Sequence, residues 1–304
     1  MKHYAIVVSM YRQMELLGVS QDGYSLNTLI NCYCQLGRIG FGFSILGKML
    51  KLGVEPSAVT FSTLINGLCN RSKISEAVII FDEMTKKGYQ PNLIVYNIIL
   101  KGLCKSGNTD RAVRFLRLME DRDFETDIVT YSTVIDCLCK KGLLKEALDL
   151  FSEEKVKGIR PNTITYSCLI HGMCNSRQQE EATRLLNEMR KHDIEPNVST
   201  YSTLVYAHCK EGMVSKTEDF VDAMIKQEIE PNVVTYSALV NGYCLRNEMD
   251  KARIDLQMMI EKGCAPNIVT YNTMINGYCK AKRLDEAVEL FHEISQKGPI
   301  PDIV

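Results

Sequence analysis

In residues 233–267, VVTYSALVNGYCLRNEMDKARIDLQMMIEKGCAPN, apolar side chains return at helical spacing in two short runs. Val234, Tyr236, Leu239, Val240 and Tyr243 form the first, and Met249, Ala252, Leu256 and Met259 the second. Each run predicts an amphipathic helix. A polar break at Arg246–Glu248 separates them. Gly263 ends the second helix and Pro266 prevents its continuation. A short helix with one apolar face cannot bury that face alone, whereas stacked helix pairs can.

The pattern recurs along the chain. Cys34, Cys69, Cys104, Cys139, Cys174, Cys209, Cys244 and Cys279 are spaced by 35 residues. Pro56, Pro91, Pro161, Pro196, Pro231, Pro266 and Pro301 lie on a second lattice of the same period, with Thr126 in the missing slot and Pro299 outside it. A fixed period marks a tandem repeat. Eight whole units follow: 23–57, 58–92, 93–127, 128–162, 163–197, 198–232, 233–267 and 268–302. Residues 1–22 match the closing part of a further unit, its second helix only, with Met14, Gly18 and Asp22 in register; 303–304 open another. The expected fold is all-α, an α-solenoid superhelix of helix-turn-helix repeats, right-handed or left-handed. A length of 304 residues would otherwise suggest two domains.

Three apolar columns run through the units. Ala77, Ala112, Ala147, Ala182, Ala252 and Ala287 fit close helix approach, and Met49, Met84, Met119, Met189, Met224 and Met259 fit adaptable core filling. Glu154 interrupts the Met column, which predicts poorer packing of the second helix in 128–162. Tyr96, Tyr131, Tyr166, Tyr201, Tyr236 and Tyr271 read as core rather than as a base-stacking set. The cysteine column reads as a small buried hydrophobe.

Composition adds little chemistry. The net charge of −1, from 36 basic and 37 acidic residues, excludes a blanket polycation. No stretch of about 20 apolar residues suits a membrane span. The first 13 residues of the units carry Lys101, Lys105, Lys140, Lys210 and Lys280 against Asp136, a balance of +4 that leaves −5 for the remainder. His3, His171, His192, His208 and His292 form no H-x-E or H-E-x-x-H set, and no phosphate-cradling G-x-x-x-x-G-K-[ST] occurs. The expectation is a binding protein, not an enzyme, without metal or cofactor.

Two polar places vary while the scaffold repeats: the residue after the Tyr column and the last of each unit. Ser62 pairs with Asn92, Ser132 with Asn162, Ser167 with Asn197, Ser202 with Asn232 and Ser237 with Asn267. Asn97 pairs with Asp127, Asn272 with Asp302, and Asn27 with Ser57. Both Asp thus fall in units bearing Asn, which random placement among eight units would achieve in 3 of 28 arrangements. Asn, Asp or Ser before a helix also serves as its N-cap. Capping does not explain why Asp accompanies Asn; a ligand bridging both side chains does.

VTYNTMINGYCKAKRLDEAVELFHEISQKGPIPD (269–302) closely resembles the consensus of the pentatricopeptide repeat family, plant P-class. INCYCQLGRIGFGFSILGKMLKLG (30–53) resembles its restorer-of-fertility-like subgroup. The resemblance covers essentially the whole chain. It implies single-stranded RNA binding at one base per repeat. The two variable columns would read the base edge, Ser with Asn preferring adenine, Asn with Asp uracil, and Asn with Ser leaning to cytosine. The implied target is 5′-(C/U)AUAAAAU-3′. Val59, Ile94, Val129, Ile164, Val234 and Val269 would sandwich the bases, a pattern from which Tyr24 and Ser199 depart. Lys105, Lys140, Lys210 and Lys280 would meet phosphates or serve solubility. RNA-processing proteins are further implied partners; no membrane or small-molecule substrate is expected. The resemblance implies a mitochondrial location, with the chloroplast second, though residues 1–22 read as repeat and not as a targeting peptide. A protein-binding helical-repeat scaffold and a truncated, non-functional fragment of a longer repeat protein are the alternatives.

Overall fold

The structure, a computed structural model, describes residues 2–297 except 123 and 125, with side chains for these apart from 2, 214, 215 and 295–297. Asp302, Pro299, Pro301 and the opening of a further unit at 303–304 lie outside the described residues. Seventeen helices and no strand occur among the described residues. α1 is Lys2–Leu16. The first helices of the units are α2 (Gly23–Gln35), α4 (Ala58–Asn70), α6 (Leu93–Lys105), α8 (Ile128–Lys140), α10 (Thr163–Asn175), α12 (Val198–Lys210), α14 (Val233–Leu245) and α16 (Ile268–Lys280). The second helices are α3 (Ile39–Lys51), α5 (Ile74–Lys86), α7 (Thr109–Asp121), α9 (Leu144–Val156), α11 (Gln179–Lys191), α13 (Val214–Lys226), α15 (Met249–Glu261) and α17 (Leu284–Lys297).

The helices gather into two compact units, Met1–Lys141 and Gly142–Val304. In the first, α1 packs on α2, and α2, α4, α6 and α8 pack in succession. In the second, α10, α12, α14 and α16 do the same. Second helices buttress these rows: α5, for example, packs on both α4 and α6, and α13 on both α12 and α14. Each compact unit is therefore a stack of helix pairs whose core is shared between neighbours. The left-handed backbone of the turn between paired helices, φ +72° at Gly107 and +62° at Asn247, fits residues that tolerate that region.

The apolar columns form the core. All six methionines and six alanines of their columns are buried, as are Tyr96, Tyr131, Tyr166, Tyr201 and Tyr236, so the tyrosines pack rather than stack on a ligand. Their hydroxyls find partners, as where Tyr131 donates to Glu120 Oε1 at 2.8 Å. Val234 departs from the amphipathic reading: it is 56% exposed, so the apolar face of α14 begins at Tyr236.

Successive first helices approach through a cysteine and a glycine. A Cβ added at Gly67 would lie 2.7 Å from Cys34 Sγ, and one at Gly102 2.6 Å from Cys69 Sγ and 2.9 Å from Ile74 Cδ1. At these junctions, and at Cys209–Gly242 and Cys244–Gly277, the cysteine lattice marks the thiol that rests on the next unit's glycine, whereas Cys104 meets Cys137. Cys279, in the last first helix, is exposed.

Glu154 occupies its methionine-column place fully buried, and neither carboxylate oxygen has a hydrogen-bond partner. Burial pushes its carboxyl up to about 7, against a smaller opposing pull from Lys155. The folded state therefore holds its proton more tightly than the unfolded state. Stability falls as pH rises from the unfolded value of 4.5 through about 7.

Two outcomes are expected. In an open helix Gly→Ala stabilises, but here Gly102→Ala should lower stability by about 1–3 kcal/mol through overpacking. Adding Cys69→Ala should recover part of that loss in a double-mutant cycle read by denaturant unfolding. Glu154→Met should raise the melting temperature at pH 8 more than at pH 5. It should remove a stability slope of roughly 1.4 kcal/mol per pH unit across that window.

Candidate nucleic-acid interface

The last residue of each unit caps the next first helix. Asn92 Oδ1 accepts Val95 N–H at 3.1 Å, Asp127 Oδ1 Thr130 N–H at 2.9 Å, Asn197 Oδ1 Thr200 N–H at 3.0 Å and Asn267 Oδ1 Thr270 N–H at 3.0 Å. Asn162 and Asn232 each accept two backbone N–H groups, and Ser57 stands at the same N-cap place. The capping role is real. It occupies one side-chain oxygen per residue and leaves the rest of each group available.

The residue after the Tyr column lies one turn into the preceding first helix, 30 positions earlier. A threonine side chain joins the two columns. Thr60 Oγ1 is 2.7 Å from Asn27 Oδ1 and 3.4 Å from Ser57 Oγ. Thr130 Oγ1 is 2.9 Å from Asn97 Oδ1 and 2.7 Å from Asp127 Oδ1. Ser167 and Asn197 meet at Thr200, Ser202 and Asn232 at Thr235, and Ser237 and Asn267 at Thr270. Ser202 Oγ itself comes to 3.5 Å from Asn232 Oδ1. The threonines are missed by a search for varying places, although they recur on the same 35-residue lattice.

Two pairs are built differently. Val95 stands in the threonine place beside Asn92, and Ser62 donates instead to Val59 O at 3.0 Å. Ser132 donates to Ile128 O at 2.6 Å, while Asn162 caps α10 in the other compact unit. Asn272 is exposed.

Beside these pairs stands a file of uncovered aliphatic side chains. Val59, Ile94, Val129, Ile164, Val234 and Val269 are all 55–64% exposed, and Tyr24 reaches 82% at the same place. Ser199 holds that place in 198–232. Lys105, Lys210 and Lys280 are exposed, whereas Lys140 is paired with Asp136 at 2.6 Å.

These features converge on a cavity of about 630 Å³ within the second compact unit. Its walls include Ser202 and Asn232, Ser199 and Val234, and Lys210 with Arg177 and His171. Ser202 is nearly covered, at 5% exposure, so little more than its hydroxyl side can reach a ligand. Cys174 also lines the cavity, but burial pushes its thiol up to about 12, which makes it a poor nucleophile. Among the described residues no group of three His, Cys, Asp or Glu side chains is placed to hold a metal ion. The walls offer hydrogen bonds, apolar contact and positive charge.

An all-α repeat protein with a polar pair in each repeat and an exposed aliphatic in most is the class this defines. The sequence pattern of the PPR repeat family matches residues 21–70, 63–105, 91–140, 126–175, 166–210, 203–245 and 238–277, and that of the PPR repeat matches 262–295. The chain belongs to the pentatricopeptide repeat family.

Its relatives include the Arabidopsis thaliana pentatricopeptide repeat-containing protein At1g12300, mitochondrial, 40% identical over 50 residues, or 16% of this chain and 8% of that protein. Another is the Arabidopsis protein At1g06580, 47% identical over 36 residues, 12% of this chain and 7% of that one. Among solved structures, PPR10 from maize superposes with a TM-score of 0.69 at 25% identity, over 95% of this chain and 46% of that one. PPR10 in complex with an 18-nucleotide psaJ RNA element gives 0.63 at 26% identity, over 93% and 46%. The chain thus spans under half of PPR10, and the matched segments are under a tenth of these curated relatives.

Proposed function

We propose that this chain binds single-stranded RNA in a sequence-specific way, one base per repeat, in organellar RNA processing, stability or translation. The observation that carries the reading is the cavity, where both variable-column residues of 198–232, the exposed Val234 and the basic Lys210 and Arg177 share one space. The RNA held by PPR10 supports it. In this reading the base edge meets Ser202 and Asn232, its face rests on the aliphatic file, and basic side chains take the phosphates. Aromatic stacking is worth about 1–3 kcal/mol per base, and the smaller aliphatic surfaces here give less. The target is 5′-(C/U)AUAAAAU-3′, its last letter resting on Asn272 and Asp302. The mitochondrial relative favours mitochondria as the location. Kinship to the P-class and to the restorer-of-fertility-like group belongs to the same reading and rests on the repeat motifs at 269–302 and 30–53.

A mobility-shift titration with the octamer and a scrambled control over a salt series should show preference for the octamer at every salt, with both affinities falling as salt rises. Equal binding to both sequences would sink the base-reading mechanism; no RNA affinity at all would favour a protein-binding scaffold. Asn232→Asp replaces an amide donor by an acceptor. It should move the preference at the sixth nucleotide from adenine, whose ring nitrogen accepts, to guanine, whose ring nitrogen donates.

A further inference from the structure

We propose that the threonine at the third place of the following repeat is a positioning residue that sets the donor–acceptor order each pair shows to its base. This rests on the base-reading function proposed above. The argument is proton counting, since a hydroxyl carries one proton. Asn267 Oδ1 accepts Thr270 N–H at 3.0 Å, which fixes that end of the amide as oxygen. Thr270 Oγ1 lies 3.0 Å from the same oxygen and donates its proton there. Ser237 Oγ, 2.7 Å from Thr270 Oγ1, must then donate to it. What remains for a ligand is an acceptor on Ser237 and an N–H donor on Asn267. The relay has the same polarity through Thr235, at 2.8 Å from Ser202 Oγ and 3.2 Å from Asn232 Oδ1.

At Thr130 the order reverses. Asp127 Oδ1 accepts both the Thr130 N–H at 2.9 Å and its hydroxyl at 2.7 Å. A carboxylate returns no proton, so the proton of Thr130 is committed. Asn97 faces that hydroxyl oxygen at 2.9 Å. A half-turn of its amide, which exchanges nitrogen and oxygen between the same two positions, makes Asn97 the donor. The free groups are then a second N–H on Asn97 and the outer oxygen of Asp127. Ser–Asn pairs thus present acceptor then donor, and Asn–Asp presents donor then acceptor. Adenine's edge runs from an amino donor to a ring acceptor, and uracil's from a carbonyl acceptor to a ring N–H. The two orders are complementary to these two edges.

The chain contains its own control. Val95 has no hydroxyl, and Ser62 is left turned to the Val59 carbonyl. Repeat 58–92 should therefore discriminate least between bases.

The test measures dissociation constants of the full chain for octamers varied in turn at the second, third, sixth and seventh nucleotides. Thr235→Val keeps the β-branched shape and removes the relay. It should reduce the adenine preference at the sixth nucleotide about tenfold, leave the preferences at the third and seventh intact, and be rescued by Thr235→Ser. Val95→Thr should raise the preference at the second nucleotide. Retained discrimination in Thr235→Val, or equal loss at every position, overturns the proposal. Should Thr235→Val not fold, an unchanged second-position preference in Val95→Thr does so. A wild type that discriminates while the variants follow it unchanged defeats the threonine role alone; a wild type without any preference defeats the base-reading function and this inference together.

Discussion

The close approach of one first helix to the next is the constraint on which the rest depends. A thiol at the twelfth place of one repeat rests against the glycine at the tenth place of the following one, where an added Cβ would crowd it, as at Cys34–Gly67 and Cys69–Gly102. That contact sets how near the N-terminus of one first helix comes to the body of the previous one. It lets a capping residue meet a side chain 30 positions earlier through a single threonine. Were the helices held further apart, the paired columns would remain as residues but not as pairs.

Most of this core is repetition, and its energetics are correspondingly local. Most second helices contribute a buried methionine and a buried small residue to a space closed by the next first helix. Glu154 shows what the column demands: a carboxylate in a methionine's place has no partner and keeps its proton to about 7. The departure belongs to one repeat, because neighbours share a core only with neighbours.

Much of the architecture was legible in the sequence because the period repeats each signal many times. The helix pairs, the buried columns and the capping place all follow from residue spacing. Val234 was legible as apolar, yet periodicity alone placed it in the core; it is exposed, while Tyr236 two residues on is buried. The threonine relay stayed hidden for another reason. Attention to places that vary passes over a constant residue, and hydrogen-bond direction depends on distances that spacing does not give. The covered state of Ser132 and Ser202, at 6% and 5% exposure, is likewise a product of packing that a polar residue type does not announce.

The cysteine–glycine contact also bears on how such a gene changes. Both halves of the contact lie in repeats 58–92, 93–127, 163–197, 233–267 and 268–302, the thiol for the neighbour after and the glycine for the neighbour before. Such a repeat duplicated or lost by unequal crossing-over therefore leaves a junction that closes as well as the old one, and the chain gains or loses one polar pair at a stroke. Repeats 23–57, 128–162 and 198–232 are the exceptions. They carry Cys32, Cys137 and Ala207 where the others keep glycine, and the Cys137 thiol lies against the Cys104 carbonyl at 3.8 Å. Copied beside itself, repeat 128–162 would set cysteine opposite cysteine a second time, the arrangement Cys104 and Cys137 already form, in place of the thiol–glycine contact.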